Sequence, residues 1–318
     1  MRPTIAYLGA PEGFEALTAA AAGRAVTKHV SADTAALTKA LGEAAGLLDA
    51  SMRVPVTAAM LEASPALRII SCATTGSDHI ARPVAEARGI VIRTLREDGA
   101  LLRNITPAAE LSWTLLMACA RKLPGALDHV LAGKWVREEF PGTMLHGKRL
   151  GLIGMGRIGG WMARYGRVFG MDVVGNDPHL ANPLPDVHMV PLPALFETCD
   201  FISVHVHLNE ETRGLVSADL LQRVKPGAVL INTSRGAIVD ERALVAALEG
   251  GRLGAAGLDV VEGEPNIDQH PLVQYARTHA NLLITPHIGG FSPDAVRIVC
   301  RRAAEKILEH LGLTAAPA

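Results

Sequence analysis

Cysteine is scarce in this chain of 318 residues, which contains only Cys72, Cys119, Cys199 and Cys300. No two of them form a CxxC pair, and they show no His/Cys spacing typical of a metal site. The sequence therefore indicates neither a disulfide framework nor a structural zinc site. We expect a cytoplasmic protein with reduced cysteines and no metal.

Long apolar runs and an excess of charge are also missing. The longest helix-like apolar stretch, Leu111 to Ala120, is much shorter than the roughly 20 residues that span a bilayer. The N-terminal segment, Arg2 to Gly9, is typical of a first strand rather than of a targeting signal. The 31 basic and 32 acidic residues are mixed along the chain. This pattern excludes the basic surface of a nucleic-acid or membrane-surface protein, so we predict neither partner.

Short β-rich runs alternate with Ala- and Leu-rich helical segments almost throughout. This alternation predicts an α/β protein with parallel sheets, and the length suits two domains. The predicted strands of the first hundred residues are Thr4–Leu8, Ala25–His29, Gly46–Asp49, Arg68–Ser71 and Ile90–Arg93. A second series is Leu150–Ile153, Met171–Gly175, Phe201–His205, Ala228–Asn232, Gly254–Leu258 and Leu282–Thr285.

Two long helices flank the second series. The first is predicted from Pro107 to about Leu131, with Thr106 as its cap. The second begins at about Ser292 and is amphipathic. Its polar side is expected to face solvent and carries Arg301, Arg302, Glu305 and Lys306.

The last helix has no strand of its own that would continue the second sheet, so we expect it to return to the first domain. A nucleotide-binding domain of residues 104–286 would then be inserted into a substrate domain of residues 1–103 and 287–318. Two chain crossings would form a hinge, and the cleft beside it is the expected place for chemistry.

A glycine turn dominates the middle of the chain. The segment Arg149–Gly159 (RLGLIGMGRIG) joins an apolar strand to a helical pattern that begins at Arg157. Gly154 permits the tight turn, and Gly156 removes a side chain where the backbone must approach phosphate. Gly159 allows the helix to pack closely on the strand, and the helix N-terminus faces the anion. The turn therefore predicts a dinucleotide site.

A carboxylate identifies the dinucleotide. Asp177 stands 18 residues after Gly159, where a second strand should end. It can accept hydrogen bonds from both adenine-ribose hydroxyls, and its charge would repel the additional phosphate of NADP. We therefore predict NAD as the cofactor.

Three polar residues follow predicted strands downstream of the turn: Arg235, Glu264 and His287. Reduction of a 2-keto acid needs a group that protonates the carbonyl oxygen, and an imidazole suits this because it titrates near neutral pH. Glu264 would orient that imidazole and favour its charged form. Arg235 can bind a carboxylate and the adjacent carbonyl oxygen. Asp259 is placed to accept from the nicotinamide carboxamide.

These motifs together resemble the NAD-dependent D-isomer-specific 2-hydroxyacid dehydrogenases, a family that includes glyoxylate/hydroxypyruvate reductases and phosphoglycerate dehydrogenases. The resemblance covers nearly the whole chain. It rests on the glycine turn, on the segments 199–205, 232–236 and 286–290, and on the Gly-Glu-Pro sequence that ends at Pro265.

The resemblance implies a fold and a set of site residues. The fold would be α/β, with two Rossmann-like or flavodoxin-like domains built on doubly wound parallel sheets. Arg235, Glu264 and His287 would be catalytic. The implied cofactor-binding residues are Gly154, Met155, Gly156, Arg157, Ile158, Gly159, Asp177, His205, Thr212, Thr233, Ser234, Asp259, Gly289 and Gly290.

The same resemblance assigns the segment Thr74–His79 as the substrate loop of the first domain. Backbone N–H groups near Thr75 and Gly76 would hold the substrate carboxylate. It also implies a homodimer, with the helix from Pro107 to about Leu131 and the loop near Trp135 in the interface.

Three departures from the family pattern concern the substrate. Cys72 stands where enzymes for 3-phosphoglycerate typically carry an arginine, which disfavours that substrate unless Arg96 or Arg103 replaces it. The usual His-x-Pro is His205-Val-His207, and His207 either lines the adenosine end or is exposed. The segment of residues 96–103 is longer than in many members of the family. It either shapes the substrate pocket or lengthens the connection to the helix of the second domain. The charges around this segment, from Arg88 to Arg103, are expected to form a solvated face.

Three hypotheses of function remain open. The first is a dehydrogenase for a small D-2-hydroxy acid and its 2-keto acid. The second keeps the fold and NAD but oxidises formate or phosphite, and the intact set of Arg235, Glu264 and His287 argues against it. The third is an NAD-binding regulatory or interaction protein of the same fold without turnover. Such proteins usually add tails or peptide-binding surfaces, neither of which is evident in this sequence.

Overall fold

The computed structural model describes residues 2–180, 182 and 184–314. The chain divides into two compact units. The first unit consists of Met1–Ile105 and Phe291–Ala318, and the second unit is Thr106–Gly290. The second unit is therefore inserted between the two parts of the first.

The first unit is built on a five-stranded parallel sheet in the order β2-β1-β3-β4-β5. Its central strands are continuous apolar runs because helices cover both faces of a parallel sheet. The strands are β1 (Thr4–Leu8), β2 (Val26–Val30), β3 (Gly46–Asp49), β4 (Ile69–Cys72) and β5 (Val91–Arg93). The helices are α1 (Pro11–Ala21), α2 (Thr34–Leu41), α3 (Ala58–Glu62), α4 (Arg82–Ala87) and α5 (Gly99–Leu102), and a short 3-10 helix covers Leu95–Glu97.

The second unit is a doubly wound domain. Its seven-stranded parallel sheet has the order β12-β11-β10-β9-β6-β7-β8. The strands are β6 (Arg149–Ile153), β7 (Asp172–Asn176), β8 (His188–Met189), β9 (Phe201–Val204), β10 (Ala228–Asn232), β11 (Leu253–Leu258) and β12 (Leu282–Ile284). The helices are α6 (Pro107–Ala120), α7 (Leu123–Leu131), α8 (Arg157–Val168), α9 (Leu192–Thr198), α10 (Ala218–Arg223), α11 (Glu241–Glu249) and α12 (Pro271–Ala276).

The strand order of the second unit reverses between β6 and β9. The chain runs from β6 outward to β8, and then returns to build the other half of the sheet from β9. Ligands of such sheets bind beyond the carboxyl ends of the strands at this reversal. The glycine turn follows β6 and therefore lies at that position.

The last helix, α13 (Pro293–His310), belongs to the first unit and packs on α1, β3 and β4. Ser292 caps it by accepting a hydrogen bond from the Ala295 N–H. Its buried face includes Cys300, Ala303 and Ile307, which are fully buried. The apolar face of the helix therefore completes the core of the first unit. No helix in the described part of the chain is long and apolar enough to cross a membrane.

The predicted helix from Pro107 to Leu131 was wrong in one respect, because it is two helices. It breaks at Arg121 and Lys122, and Lys122 adopts a left-handed conformation with φ 51°. Pro124 lies in the first turn of α7. Proline has no N–H to donate and its ring collides with the carbonyl four residues earlier, so α6 cannot continue through it.

The predicted solvated face of α13 and of residues 96–103 was also partly wrong. Lys306 is 7% exposed, and its ammonium donates to the Thr94 carbonyl and contacts Asp98. The Arg302 Nε donates to Asp98 Oδ1 at 2.8 Å. Burial raises the pKa of Asp98, but the hydrogen bonds from Arg302 and Lys306 outweigh it and lower that pKa. This cluster attaches residues 94–98 to the last helix.

We predict that Asp98→Asn destabilises the protein at neutral pH by about 2–4 kcal/mol, because it leaves the buried Lys306 ammonium without its charge partner. The native pKa of Asp98 lies below its ordinary value. The contribution of the pair is therefore complete above about pH 4 and is lost as the pH falls through the lowered pKa. Urea unfolding should show a difference between wild type and variant that shrinks in acid.

Glu43→Gln is the control, because it breaks the exposed pair of Lys28 and Glu43. That change should alter the free energy of unfolding by less than about 1 kcal/mol. An Asp98→Asn variant as stable as the control at neutral pH would contradict the assigned role of the buried cluster.

Candidate cofactor and acid–base site

The glycine turn between β6 and α8 has the backbone that a dinucleotide requires. Gly154 has φ 89°, and a Cβ there would lie 2.6 Å from the His205 carbonyl oxygen. Gly156 is the N-cap of α8, and a Cβ there would meet no atom within 4 Å. Gly159 is buried against the turn, where a Cβ would overlap the Gly154 carbonyl. Arg157 and Ile158 form the first helical turn with their N–H groups at the positive end of the helix.

Asp177 lies beside this turn, just after β7. The Met155 N–H donates to Asp177 Oδ2 at 2.9 Å, and the His179 N–H donates to Oδ1 at 3.0 Å. Each carboxylate oxygen retains acceptor capacity for a further donor, such as a ribose hydroxyl. The carboxylate is thus held at the turn by backbone bonds on both oxygens. These residues fit the pyrophosphate and ribose of NAD.

The loop after β9 contains His205 and Thr212. The His205 N–H donates to the Ile153 carbonyl at 2.7 Å. Both ring nitrogens of His205 are shielded from solvent and have no hydrogen-bond partner among the described residues, and burial lowers the pKa of His205 to about 3. The Thr212 hydroxyl donates to the His207 carbonyl at 2.5 Å and accepts from the Asn209 N–H at 2.9 Å. Thr212 therefore shapes this loop, and the His207 side chain is exposed.

The turn after β10 is held by hydroxyl groups. The Ser234 hydroxyl donates to the Val204 carbonyl at 2.8 Å, and the Thr233 hydroxyl lies 2.7 Å from that of Ser112 in α6. The turn is therefore attached to the neighbouring strand and to the helix that begins the unit. Ser112, which is fully buried, was not identified from the sequence.

Arg235 is positioned by a buried amide. The Asn232 Nδ2 donates to the Arg235 carbonyl at 2.9 Å, while Asn232 Oδ1 accepts from the Ser234 N–H at 3.0 Å. The Arg235 Nη1 donates to the Ser234 carbonyl at 2.8 Å. Asn232 ends a predicted strand, but the apolar pattern that located the strand contains no signal for this bond.

Glu264 and His287 form a direct pair. The His287 Nδ1 lies 2.5 Å from Glu264 Oε1, and both side chains are about one third exposed. Because Nδ1 faces a carboxylate, it carries a proton, and Nε2 is the ring nitrogen left for a reacting group. The other oxygen of Glu264 accepts from the Val261 N–H at 3.3 Å. The structure thus joins two of the three predicted catalytic residues.

Asp259 supports the backbone that carries His287. This carboxylate is 1% exposed and accepts from the Thr285 hydroxyl at 2.6 Å, the Ile288 N–H at 2.9 Å and the Gly289 N–H at 2.7 Å. Burial raises the pKa of Asp259, and these hydrogen bonds oppose that rise. His287 has φ 54°, a backbone conformation that persists only where the surroundings impose it. The predicted contact of Asp259 with the nicotinamide carboxamide stays a prediction. A Cβ at Gly290 would meet no atom within 4 Å.

The loops of Arg235 and Glu264 pack on each other. Gly236 allows this contact, because a Cβ there would overlap the backbone of Val261 and Glu262. The Glu262 N–H donates to Glu241 Oε1 at 2.8 Å, and the other oxygen of Glu241 pairs with His270 at 3.0 Å. Sequence reasoning did not identify Glu241 and His270. Their contacts join segments 21 to 29 residues apart, and no local pattern signals them.

The predicted substrate loop of the first unit follows β4. The Thr74 hydroxyl donates to the Gly76 carbonyl at 2.8 Å. Within the described residues the N–H groups of Thr75 and Gly76 donate to no protein acceptor. Cys72 is fully buried, and this burial raises the pKa of its thiol. These two N–H groups are therefore available to an anion.

The chain is similar to known proteins over most of its length. The model of the D-isomer specific 2-hydroxyacid dehydrogenase NAD-binding domain matches residues 113–289. The chain is 39% identical over 260 residues to the hydroxypyruvate reductase of Thermotoga maritima, covering 81% of this chain and 82% of that protein. It is 37% identical over 259 residues to the D-3-phosphoglycerate dehydrogenase of Synechocystis, covering 80% of this chain but only 45% of that protein.

Solved structures are also similar to this chain. A Thermus thermophilus protein superposes with a TM-score of 0.85 at 33% identity, covering 97% of both chains. The D-lactate dehydrogenase of Aquifex aeolicus, solved with NAD and lactic acid, shares the fold with a TM-score of 0.83 at 23% identity, covering 97% of this chain and 96% of that one. Since the family model covers more than half of the chain and the Thermotoga relative four fifths of it, this chain belongs to the D-isomer specific 2-hydroxyacid dehydrogenases, NAD-dependent oxidoreductases that act on CH–OH donors.

Proposed function

We propose that this enzyme interconverts a small D-2-hydroxy acid and its 2-keto acid with Arg235, Glu264 and His287 as its catalytic residues. The 2.5 Å hydrogen bond between Glu264 and His287 is the observation that carries the proposal. This pair lies in the unit that contains the glycine turn, and the Glu264 loop packs on the loop of Arg235.

Bound NADH supplies the hydride in the direction of keto-acid reduction. The backbone of residues 154–159 binds the pyrophosphate, and Asp177 accepts hydrogen bonds from the adenine ribose. The same carboxylate disfavours the additional phosphate of NADPH by charge repulsion. The segments with His205, Thr212, Thr233, Ser234, Asp259, Gly289 and Gly290 complete the proposed cofactor site.

The acid–base step belongs to His287. Its Nε2 donates a proton to the carbonyl oxygen of the keto acid as the hydride reaches the carbon. The hydrogen bond from Nδ1 to the Glu264 carboxylate keeps the ring in place and leaves Nε2 for that transfer. In the oxidative direction the same Nε2 accepts the hydroxyl proton.

Arg235 and the first-unit loop bind the substrate. The guanidinium of Arg235 pairs with the carboxylate and polarises the adjacent carbonyl. We also propose the N–H groups of Thr75 and Gly76, in the first unit, as donors to a substrate carboxylate. Cys72 is buried and uncharged, so it offers no partner to a phosphate. We therefore favour a small unphosphorylated keto acid, and the similarity to a hydroxypyruvate reductase supports this class.

The proposal includes a cytoplasmic location, which suits four buried free cysteines, and no nucleic-acid partner. The decisive test is NADH consumption with glyoxylate, hydroxypyruvate, pyruvate and bulkier 2-keto acids. Turnover with at least one small acid is expected. NADH binding without turnover of any acid would favour the alternative, an NAD-binding regulatory protein of the same fold.

His287→Ala should reduce kcat by roughly 10²- to 10⁴-fold, because it removes the proton donor. The dissociation constant of NADH should stay nearly unchanged, since the glycine turn and Asp177 remain intact. Steady-state kinetics and a fluorescence titration with NADH measure the two quantities. Wild-type turnover in this variant would remove His287 from the mechanism.

Arg235→Ala should raise the KM of the keto acid and lower kcat/KM, because substrate loses its charge-assisted hydrogen bonds. Arg235→Lys restores the charge without the planar pair of donors, so it should recover only part of the loss. Keto-acid kinetics of both variants test this role. Kinetics equal to wild type in Arg235→Ala would contradict it.

Asp177→Ala should reduce the preference for NADH over NADPH, because it removes both the ribose acceptor and the repulsive charge. The ratio of kcat/KM for the two cofactors measures the preference. Asp172→Ala at the start of β7 is the control, since this carboxylate pairs with Arg149 and is not assigned to the cofactor. An unchanged preference in Asp177→Ala would refute the proposed ribose recognition.

We also propose a homodimer that uses α6, α7 and the loop of Trp135. Apolar side chains of this segment are exposed in the single chain. Leu127 is 56% exposed, Leu131 85% and Trp135 88%. Exposed apolar residues in one segment are typical of a surface that another protein covers.

Leu131→Asp should therefore shift the protein from dimer to monomer, because a charge would have to be buried in the interface. Light scattering coupled to size-exclusion chromatography measures the mass. Ile298→Asp is the matched control, because Ile298 is an exposed apolar residue of α13 in the first unit. A monomeric wild type, or a Leu131→Asp protein that stays dimeric, would contradict the proposed interface.

A further inference from the structure

A buried pair of carboxylate and imidazole lies in the first unit. Asp49 is the last residue of β3, the central strand of its sheet, and its side chain is fully buried. Its Oδ2 lies 2.8 Å from the Nε2 of His79, whose side chain is only 8% exposed. A buried carboxylate is costly unless it is paired. The pair therefore holds together the two segments that carry Asp49 and His79.

The pair joins two loops that follow neighbouring strands. The loop after β3 contains Ser51 and Met52, whose N–H groups donate to Asp49 Oδ1 at 2.9 and 3.1 Å. The loop after β4 ends at His79. One carboxylate thus binds the first loop through Oδ1 and the second through Oδ2.

Backbone hydrogen bonds attach the same loops at their two ends. The Ala73 N–H donates to the Asp49 carbonyl at 2.8 Å, where the β4 loop begins. At the far end the Val56 N–H donates to the His79 carbonyl at 2.9 Å, and the Ala81 N–H donates to the Val56 carbonyl at 2.9 Å. The side chains of Asp49 and His79 add a hydrogen bond that joins the start of the first loop to the far end of the second.

Thr75 and Gly76 lie between the two attached ends of the β4 loop, and their N–H groups donate to no described protein atom. We propose that Asp49 and His79 are positioning residues that set the place of these N–H donors, and thereby the affinity for the 2-keto acid carboxylate. This inference rests on the proposed function. Backbone donors can be oriented only through the loop that carries them, and a binding group must be held to about 0.5 Å to be effective.

The donor at position 79 can be removed or retained by substitution. His79→Leu introduces an apolar side chain of similar size that has no N–H for Asp49. His79→Gln retains an N–H donor near the position of Nε2. Asp49→Asn keeps an oxygen that can accept from Ser51 and Met52 but removes the charge from the bond to His79. His29→Gln is the matched control, because a hydrogen bond of 2.9 Å joins the His29 Nε2 to the Gly9 carbonyl in the same unit.

The experiment compares these variants of the full chain. In His79→Leu the KM of the keto acid should rise about tenfold or more, the size expected for loss of a charge-assisted hydrogen bond. The kcat should change by less than about threefold, and the dissociation constant of NADH should stay constant, since the catalytic pair and glycine turn belong to the second unit. His79→Gln should recover most of the KM, and His29→Gln should match wild type. If His79→Leu does not fold, Asp49→Asn carries the same expectation with a smaller rise.

Hydrogen–deuterium exchange measures the opening of the loop independently of turnover. Peptides covering residues 73–81 should exchange faster in His79→Leu than in wild type or in the His29→Gln control. An unchanged KM, or unchanged exchange of this loop in a folded His79→Leu protein, would overturn the inference. Faster exchange in this variant, with no keto acid reduced by wild type, would refute the proposed function and leave the loop attachment established.

Discussion

Asp259 fixes the segment that carries His287, the proposed acid–base residue. Its carboxylate is nearly inaccessible and accepts hydrogen bonds from the Thr285 hydroxyl and from the Ile288 and Gly289 N–H groups. These bonds enclose His287 on both sides and hold its backbone at a positive φ. With the backbone fixed, the imidazole meets Glu264 through Nδ1 and leaves Nε2 for the reaction. The geometry of the Glu264–His287 pair therefore depends on a residue outside it.

The first unit uses the same device at the end of its central strand. Asp49 is also buried and also accepts backbone N–H groups from the loop that follows its strand. Its second oxygen binds an imidazole from the neighbouring loop. In both units a carboxylate at the carboxyl end of a parallel strand holds loops that a sheet alone cannot hold, because the ladder of hydrogen bonds ends there. The loop of His287 and the loop of Thr75 and Gly76 carry residues that we propose for the reaction.

Strands and their order of appearance were predictable because each is a short apolar run between polar turns. Thr4–Leu8, Gly46–Asp49 and Ala228–Asn232 were predicted with the bounds that the structure has, and the other predicted strands deviate by one residue at one end or at both ends. The short edge strand His188–Met189 was missed because two residues carry no periodic pattern. The break at Lys122 was also missed, although Pro124 signals it, since the apolar pattern continues through both helices.

Charged residues were the least predictable part. Asp98 and Lys306 were predicted on solvated faces, yet they pair within the first unit, more than 200 residues apart in the chain. His79 was part of the predicted substrate loop, but its pairing with Asp49 could not be read from it. A charged side chain has the same local pattern whether it faces water or a buried partner, so burial of this kind follows only from the packing of distant segments.

By itself the sequence determined the α/β class, the glycine turn, the carboxylate at Asp177 and the order of Arg235, Glu264 and His287. These features follow from local patterns, because strand ends and turns constrain the residues within them. Only the tertiary structure decided which side chains meet. It joined Glu264 to His287, Asp259 to the loop of His287, and Asp49 to His79. The physical reason is that parallel strands bring their carboxyl ends to one edge of a sheet, where residues far apart in the chain become neighbours.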